Sequence, residues 1–589
     1  MKTKENNFVK NSIKYLIPLI PVVLVAVMTG LLFDTYYDIN DDSAIRNILS
    51  GVFSGEPSPM AVYVEYPFAL IFSLMYKIFP AIPWFGFIEH VMLYGSLYLV
   101  AFSLSNRTEN KLLKIILSVF AGYIFEALLF YRIIYVQYTT VAGITAAAGA
   151  VGFLFSDDKA DGKHFLISSI PCIICEVLAF CLRPNMMAVE LPMIGVVYIV
   201  KWLKGSKEND TKCFNGKNIV KYFMPLFIVT ALMALSFITN RIAYSTNGWK
   251  EYSRFNDART TILDFQEFIP PYDENFDFYD SIGWEEVDTV IVRNYNIAVD
   301  DRITAENLEK LAEYNEDAHG LGYFKKGVKE SLIYYKYKLT HTSEYKYAYG
   351  VIALYVVALA LAIVSKDKIT IIGTICLFAS RSIGWMFIIM RGRFPERILI
   401  PLCFCEMIIL ISFILMSAFS KSDKTLPLIA MIVLAASVMP FARSDISAAY
   451  KEQARRDEVN VRFEALKEYC GNHSENYYAL DVMSTVAYSE KIYKETDTKY
   501  ANYEICGGWL SNNPLYDEKL SRYDIANLSD SLIEGKAYFV AYEDKDVTWI
   551  ADYYKSREIE AKVTCVDSIK VGGETVFNVF SVEKVNDNE

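Results

Sequence analysis

Residues 396–418 read "ERILIPLCFCEMIILISFILMSA", an apolar run that begins with Glu396 and Arg397 and has one carboxylate, Glu406, near its middle. A helix needs about 20 apolar residues to cross the hydrocarbon core of a bilayer, and this run has that length. The whole chain has 589 residues, of which 53% are hydrophobic and 15% aromatic. This composition is far from that of a soluble enzyme and indicates a polytopic membrane protein embedded in a lipid bilayer.

Further apolar runs outline the rest of the bundle. Eleven segments are candidate spans: 14–33, 84–104, 112–131, 138–155, 164–182, 186–203, 219–240, 346–365, 369–390, 396–418 and 424–441. A twelfth run, residues 61–80, is interrupted by Glu65, Pro67 and Lys77. We expect it to lie on the outer membrane surface as an amphipathic helix.

Charge sets the predicted orientation. With a cytoplasmic N-terminus and eleven spans, the lysine-rich loops, such as residues 201–221, lie in the cytoplasm. The only basic residues of the short external loops are then arginines. This imbalance follows the positive-inside rule, and the two sides would swap if residues 61–80 crossed the membrane. The net charge of -11 averages a membrane part with an acidic tail, and it does not suggest nucleic acid as a partner.

The expected fold is therefore a polytopic α-helical membrane protein with about eleven transmembrane helices and a C-terminal extracytoplasmic α/β domain. In the tail, strand-like runs at 476–482, 536–542 and 575–582 alternate with helix-like runs at 455–469 and 546–556. Thr304 is the expected N-cap of a helix in the polar insertion. The predicted parts are 1–240 with an external loop at 34–80, an external segment at 241–345, further spans at 346–442, and the domain at 443–589.

Ionisable residues inside predicted spans are costly and tend to line cavities or pair with one another. They are Glu89, Glu126, Glu176, Glu190, Arg381 and Glu406. Most fall in the outer half of their spans under the predicted topology, which favours a polar cavity open to the outside. The alternative is that each one joins helices as a structural ion pair.

Arginines mark two places where a predicted span meets the external face, "LRPN" at 182–185 and "MRGRFPER" at 390–397. A guanidinium group holds phosphate oxygens in a bidentate fork, whereas lysine is a hydrated point charge. Interfacial anchoring or pairing with loop aspartates is the alternative. Three arginines within seven residues, on the side that topology disfavours, predict an anion site for a lipid-linked phosphate or diphosphate. Its candidate residues are Arg391, Arg393, Arg397 and Arg183.

Three carboxylates follow the first span in "DINDDSAIR", residues 38–46. The following residues indicate a short helix, and the helix dipole favours carboxylates at its start, so N-capping is one explanation. Capping needs only one such residue, and a carboxylate beside phosphate-binding arginines can also deprotonate an attacking hydroxyl. Asp41 is the candidate base, with Asp42 orienting the hydroxyl or a metal. Oxygens of Asp38, Asp41 and Asp42 also suit Mg²⁺ or Mn²⁺.

This pattern resembles the GT-C superfamily of membrane glycosyltransferases, in particular the bacterial aminoarabinose transferases and the protein O-mannosyltransferases. "NDDSAIRNILSG" followed by "VEYPFALIFSLMYKIFP" is similar to the acidic pair and surface helices of their first external loop. The resemblance covers about residues 10–240 and aligns Asp41 with the leading catalytic aspartate of the family. "GWEEVD" at 283–288 and "GRFPERILIPL" at 392–402 also resemble a family of uncharacterised bacterial surface-polysaccharide membrane proteins.

The resemblance implies an enzyme of the bacterial plasma membrane. It would transfer a sugar, with inversion, from a polyprenyl-phosphate donor to an extracytoplasmic glycan or lipid-linked acceptor. The chain departs from the family where Glu65, Tyr66 and Pro67 replace a lysine-proline-proline signature, so the family's donor contacts do not carry over. Catalytic roles are expected for Asp41 and Asp42. Substrate contacts are expected for Arg391, Arg393, Arg397, Arg183, Asp38, Glu65, Tyr272 and Trp284, the two aromatic residues lying in a lid or acceptor platform.

Other functions remain open. A polysaccharide polymerase or ligase acting on lipid-diphosphate glycans would need the external arginines more than Asp41. A transporter or flippase would be expected to show internal repeats, and the sequence shows none. A non-catalytic membrane scaffold is the remaining alternative.

Overall fold

Helices make up most of the architecture. The computed structural model describes residues 13–159, 161–341, 346–419, 425–494 and 501–585. The helices up to the tail are, in chain order, α1 (Leu19–Leu32), α2 (Asn40–Ser50), α3 (Tyr66–Ile78), α4 (Trp84–Ser105), α5 (Lys111–Ile134), α6 (Tyr138–Phe155), α7 (Gly162–Leu182), α8 (Pro184–Glu208), α9 (Gly216–Ala243), α10 (Asn247–Thr260), α11 (Phe276–Ser281), α12 (Glu286–Arg293), α13 (Ala305–His319), α14 (Val328–Thr340), α15 (Ala348–Val364), α16 (Lys368–Met390), α17 (Glu396–Phe419) and α18 (Thr425–Asn472).

Ten helices in the described part of the chain are long and apolar enough to cross a membrane. They match ten of the predicted runs, so a polytopic helical membrane protein is confirmed. The predicted run at 346–365 forms α15, an apolar helix of 17 residues and about 26 Å. The interrupted run at 61–80 forms α3, which has only 13 residues and is too short to cross, as expected.

The two most buried long helices, α6 and α17, form the centre of the bundle. Helix α6 is rich in alanine and glycine, which lets neighbouring backbones approach closely. A methyl group at Gly143 would overlap Pro401 of α17 and Glu190 of α8. Because both central helices begin at the same end of the bundle, Tyr138 and Arg397, in their first turns, lie near the candidate site described below.

The predicted insertion at 241–345 folds as a group of short helices, α10 to α14, before the next span. The Thr304 hydroxyl accepts a hydrogen bond from the backbone N–H of Asn307 at 3.2 Å, which confirms the predicted N-cap of α13. Trp284, Tyr279 and Tyr272 stack inside this segment, with ring centroids 6.2 and 5.5 Å apart.

The tail begins inside a helix, which corrects the predicted boundary at 442/443. Helix α18 runs without a break from Thr425 to Asn472, because the residues after 443 are mostly good helix formers and no glycine occurs before Gly471. The remaining elements are β3 (Tyr477–Leu480), α19 (Val482–Thr485), β4 (Tyr503–Ile505), α20 (Pro514–Ser521), α21 (Leu528–Ile533), β5 (Ala537–Tyr542), α22 (Thr548–Lys555), β6 (Ala561–Val571) and β7 (Glu574–Lys584).

These strands form one sheet in the order β4-β3-β5-β7-β6. Strands β4, β3 and β5 run parallel, and β7 pairs antiparallel with both β5 and β6. The three predicted strands are therefore present, while β4 and β6 were not predicted. The side of the membrane on which this sheet lies stays a prediction.

The loops between spans divide into two groups, one at each end of the bundle. At the first end, which we call the lysine face, Lys201 pairs with Asp158 at 3.3 Å and Lys204 with Asp367 at 2.6 Å. These pairs join the end of α8 to the loops that follow α6 and α15. The loops after α6, α8 and α15, which were predicted to lie on one side of the membrane, therefore lie at the same end of the bundle. The lysines before residue 13 and at 421 and 424 lie outside the described residues.

The other end, which we call the Asp41 face, carries residues 34–80, the turns near Arg183 and Arg391, α10 to α14, and the tail sheet. A short parallel strand pair ties it to the bundle: β1 (Tyr36–Tyr37) pairs with β2 (Tyr135–Val136). The segment before α2 is therefore held against the end of α5 and the start of α6.

Candidate functional site

Asp41 lies in the first turn of α2 and contacts two residues distant in the chain. Arg397 Nη1, at the start of α17, lies 3.2 Å from Asp41 Oδ2, and Trp509 Nε1 donates a hydrogen bond to Asp41 Oδ1 at 2.9 Å. The N-cap of α2 is Ile39, with no side-chain capping bond, so Asp41 does not serve as the cap. The side chains of Asp41 and Arg397 keep 19% and 27% of their surface exposed, which leaves both open to a ligand.

Asp42, next to Asp41 in the chain, is fully buried. Its Oδ1 accepts a hydrogen bond at 2.8 Å from the backbone N–H of Tyr138, the first residue of α6. Burial raises the pKa of Asp42 well above its usual range, and the nearby charges of Asp41 and Asp38 act in the same direction. The expectation that Asp42 orients an acceptor or a metal is therefore corrected: it satisfies a free N–H group at the start of a central helix.

Asp38 is also a structural residue. It pairs with Arg132 at 2.7 Å and with Arg456 at 3.1 Å, and so joins α2 to α5 and to the long helix α18. Arg132 in turn pairs with Glu396 at 2.8 Å. Both carboxylate oxygens of Asp38 are taken up by guanidinium groups, so the predicted substrate contact for Asp38 is corrected to a fold-stabilising one.

The ring of Tyr63 is a further neighbour of the Asp41 site. It packs edge-on against Trp509 with centroids 5.0 Å apart, and the Arg183 guanidinium lies over it at 4.9 Å. Arg183 also lies over Tyr138 at 5.2 Å. Burial raises the pKa of Tyr63, while the positive charges of Arg259 and Arg183 act against this shift. The charges of two arginines, Arg183 and Arg259, therefore act on this ring.

Arg259, in α10, is buried and hydrogen-bonds neutral groups: Asn256 Oδ1 at 2.9 Å and the Thr260 hydroxyl at 3.0 Å. Among the described residues no carboxylate pairs with either Arg259 or Arg183. A guanidinium stays charged even when buried, and a buried charge is stable only with a counter-charge or full hydrogen bonding. The group of side chains around Asp41, which includes Arg397, Arg183 and Arg259, therefore carries excess positive charge.

Trp509 is held in place from both sides. The Tyr252 hydroxyl donates to the Trp509 carbonyl at 2.6 Å, and Gly507 passes so close to the Tyr295 carbonyl oxygen that a Cβ atom would stand within 1.7 Å of it. Only glycine fits at that position without displacing the loop. The indole N–H is thus aimed at Asp41 by contacts with α10 and with the segment after α12.

The other predicted arginines engage different partners. The Arg391 guanidinium lies over Tyr323 at 3.6 Å and Phe265 at 4.0 Å, and Arg393 pairs with Asp264 at 3.3 Å. The neighbouring aromatic and acidic side chains hold Arg391 and Arg393 in place. Of the three arginines only Arg397 contacts Asp41, and the binding of one phosphate by all three stays a prediction.

Three further predicted contacts lie in packed surroundings. Glu65 is buried and accepts a hydrogen bond from Ser236 of α9 at 3.2 Å. Trp284 is 1% exposed and donates its indole N–H to the Arg302 carbonyl at 3.2 Å. Its role as a sugar platform is corrected, because its ring belongs to the core of the 241–345 segment. Tyr272 is half-buried against Tyr279 in the same stack.

The buried charges of the spans are partly paired. Arg381 pairs with Glu406 at 3.1 Å, and the Tyr198 hydroxyl donates to Glu176 at 3.0 Å, as expected for contacts that join helices. Glu89 and Glu190 are fully buried, and neither has a hydrogen-bond partner among the described residues. The predicted polar cavity around these residues stays a prediction.

The carboxylates of "DINDDSAIR" do not converge as metal ligands would. Asp38 is bonded to two arginines, Asp41 to Arg397 and Trp509, and Asp42 to a backbone N–H of α6. Within the described ranges, no group of three or more His, Cys, Asp or Glu side chains could hold a metal ion. Binding of Mg²⁺ or Mn²⁺ at these aspartates stays a prediction.

Sequence reasoning missed Trp509, Arg259 and Tyr63. Trp509 follows two glycines in "ICGGWLSNNP", a sign of a tight backbone approach that could have drawn attention to it. Tyr63 lies in the same apolar run as Glu65. Attention went to the charged residue that interrupts this run, and no role was given to the tyrosine. Arg259 lies in an ordinary amphipathic helix, and nothing in the sequence around it separates it from a solvent-exposed arginine.

Together these features define a polytopic helical membrane protein with a carboxylate and three arginines at one end of its bundle. Comparisons with protein-family models, with curated proteins and with solved structures found no match to this chain. Its function is therefore argued from the site itself.

Proposed function

We propose that the chain is an integral-membrane glycosyltransferase that takes a sugar from a polyprenyl-phosphate donor. The acceptor would be a hydroxyl of an extracytoplasmic glycan or lipid-linked glycan, on the outer face of the bacterial plasma membrane. One observation carries the proposal: a partly exposed carboxylate, Asp41, lies 3.2 Å from Arg397, and the charges of Arg183 and Arg259 act on the neighbouring Tyr63 ring. A base beside excess positive charge suits phosphate as a leaving group.

In the proposed reaction Asp41 accepts the proton of the acceptor hydroxyl. The hydroxyl oxygen forms a bond to the anomeric carbon, and the bond from that carbon to the phosphate oxygen breaks, which inverts the anomeric centre. The electron pair leaves with the polyprenyl phosphate, so no general acid is required. The growing negative charge is stabilised by Arg397, Arg183 and Arg259.

The ion pair between Asp41 and Arg397 gives a simple order of events. While no phosphate is bound, Arg397 holds Asp41 and neutralises it. An incoming phosphate competes for Arg397, and the carboxylate is then released to act as a base. The indole N–H of Trp509 keeps Asp41 oriented through this exchange.

The test uses the purified full chain with a panel of radiolabelled polyprenyl-phosphate sugars. Asp41→Asn keeps the shape of the side chain and removes its basicity, so turnover is expected to fall by about a hundredfold or more. Asp34→Asn is the matched control, because Asp34 is an exposed carboxylate in the same segment that pairs with Lys491 at 2.6 Å. Equal turnover by wild type and Asp41→Asn would sink the mechanism. Turnover of no donor would favour a transporter, a flippase or a scaffold.

A second function, a polymerase or ligase acting on lipid-diphosphate glycans, is favoured by the number of cations. Three arginines near Asp41, namely Arg397, Arg183 and Arg259, can balance more negative charge than a single phosphate carries. Under this alternative, neutral substitutions of Arg183 and Arg259 lower turnover of a lipid-diphosphate glycan more than Asp41→Asn does. The reverse order of effects supports the polyprenyl-phosphate donor.

A further inference from the structure

Helix α14 and the turn before it expose an unusual amount of apolar surface for a segment outside the spanning helices. In the described structure the large apolar side chains on this surface are exposed: Tyr323, Phe324, Val328, Leu332, Ile333, Tyr334 and Tyr337. Contiguous apolar surface of this kind marks a contact with a protein or a membrane.

The position of α14 relative to α16 indicates which contact it is. The backbone N–H of Lys326 donates to the carbonyl of Met390, the last residue of α16, at 3.2 Å. Further along, the Tyr335 hydroxyl lies 2.6 Å from the Ser382 hydroxyl, about two turns inside the same spanning helix. Helix α14 therefore starts level with the end of a span and runs beside its outer part.

The exposed surface of α14 continues directly into the surface of that span. Phe324 packs edge-on against Phe387 of α16, with ring centroids 6.2 Å apart. Phe387 and Ile383 are exposed on a helix apolar enough to cross a membrane, so they face lipid. The apolar side chains of α14 extend this lipid-facing surface toward the headgroup layer.

Charge on the same stretch identifies the lipid class. Residues 323–340 contain five lysines and one glutamate. Lys329 and Lys336 are exposed among the apolar residues, and Lys326 also lies over the Tyr334 ring at 3.7 Å. Exposed lysines beside exposed tyrosine and leucine side chains are typical of segments that contact the interface of an anionic membrane.

We propose that α14 and residues 323–327 form a docking surface for anionic phospholipid headgroups in the leaflet next to the Asp41 face. The apolar side chains enter the boundary between headgroups and acyl chains, and Lys329 and Lys336 contact lipid phosphates. A second copy of the chain is a poorer occupant, because two lysine-rich surfaces facing each other would repel. This surface would fix the 241–345 segment against the membrane.

The experiment measures lipid selectivity and makes no use of turnover. The full-length protein is reconstituted in nanodiscs with equal amounts of phosphatidylglycerol and phosphatidylcholine, and the phospholipid that stays bound after detergent exchange is counted by native mass spectrometry. Wild type is expected to retain phosphatidylglycerol preferentially. The double variant Lys329→Glu/Lys336→Glu is expected to reduce that preference by about tenfold.

The matched control is Lys562→Glu/Lys570→Glu, which makes the same charge change at two exposed positions of β6 in the tail sheet. This control is expected to keep the wild-type preference. A second variant, Leu332→Asn/Ile333→Asn, leaves the charge unchanged and is expected to weaken retention of both lipids. Unchanged retention in the α14 variants, an equal loss in the β6 control, or a wild-type dimer that the lysine substitutions separate would each overturn the proposal.

Discussion

The lysine face and the Asp41 face are two ends of one helix bundle, but they are built differently. On the lysine face, short loops are closed by local caps: Asn110, Asp161, Asn215 and Asp367 each accept a hydrogen bond from a backbone N–H in the first turn of the helix they precede. Such caps satisfy the free N–H groups at a helix start within a few residues of sequence. The starts of these four helices therefore need no distant residue, and long-range contacts on this face join one loop to another, as in the Lys204–Asp367 pair.

The Asp41 face relies on contacts between distant residues instead. Asp42 accepts a hydrogen bond from the first backbone N–H of α6, 96 residues away in the chain. Arg397 pairs with Asp41 across 356 residues. Asp38 is held by Arg132 and Arg456, on two different helices. An end of the bundle assembled from distant parts can bring together groups that react, whereas locally capped loops mainly preserve the fold.

The largest expected difference between the faces is in activity. Arg397→Met removes the cation next to Asp41 and is expected to lower turnover by about a hundredfold or more, because a developing negative charge loses its donor. Lys204→Met breaks a comparable ion pair on the lysine face and is expected to leave turnover within about twofold of wild type. Both are measured with the same radiolabelled donor. Similar losses in the two variants would remove the functional contrast between the faces.

The next effect is on stability, and here the loss is expected on the lysine face. Lys201 and Asp158 are both buried on the lysine face, so Lys201→Met leaves a buried carboxylate without its cation. Such a change costs about 3–5 kcal/mol of unfolding free energy. Thermal unfolding in detergent is the measurement, and Lys159→Met, at an exposed position of the same loop, is the control. A loss no larger than that of the control would show that the pair contributes little.

A smaller effect on activity is expected at Trp509. Trp509→Phe keeps the ring packing against Tyr63 but removes the N–H that donates to Asp41, and hydrogen bonds to charged groups are worth enough for about a tenfold loss of turnover. Trp202→Phe removes a comparable indole hydrogen bond on the lysine face, to the Cys213 carbonyl at 3.2 Å. If the two variants lose equal activity, the orienting role of Trp509 is wrong.

The last expected effect concerns pH on the Asp41 face. Burial raises the pKa of Asp288 to about 8, with its carboxyl partner Asp300 acting in the same direction, while Arg302 and Arg557 hold the pair in place. The folded state therefore keeps a proton that the unfolded chain loses near its ordinary value of 3.8. Stability is thus expected to fall as the pH rises from about 4 to 8 and to level off above that.

Asp288→Asn is expected to flatten this fall in melting temperature, because asparagine has no proton to lose. Glu286→Gln, at an exposed position of the same helix, is expected to keep the wild-type pH profile. A profile that stays equally steep in Asp288→Asn would assign the pH dependence to other groups.

Much of the bundle could be predicted from sequence because spanning helices are local features. A long apolar run forms its own backbone hydrogen bonds in lipid and needs no partner to be recognised. The short helix α3 could also be predicted, because Glu65, Pro67 and Lys77 interrupt its run. The continuous helix α18 could not, since the change in composition near residue 442 resembles a domain boundary while helix propensity continues through it.

By itself, the sequence determined that this is a polytopic helical membrane protein, where most of its spans lie, and that Asp41 and Arg397 carry charge at span ends. The tertiary structure decided the rest: that Arg397, rather than Arg391 or Arg393, meets Asp41, that Asp42 is buried at the start of α6, and that Trp509 donates to Asp41. Hydrophobic runs and helix signals act over a few turns of chain. Contacts across hundreds of residues depend on how the helices pack, and no local pattern records that.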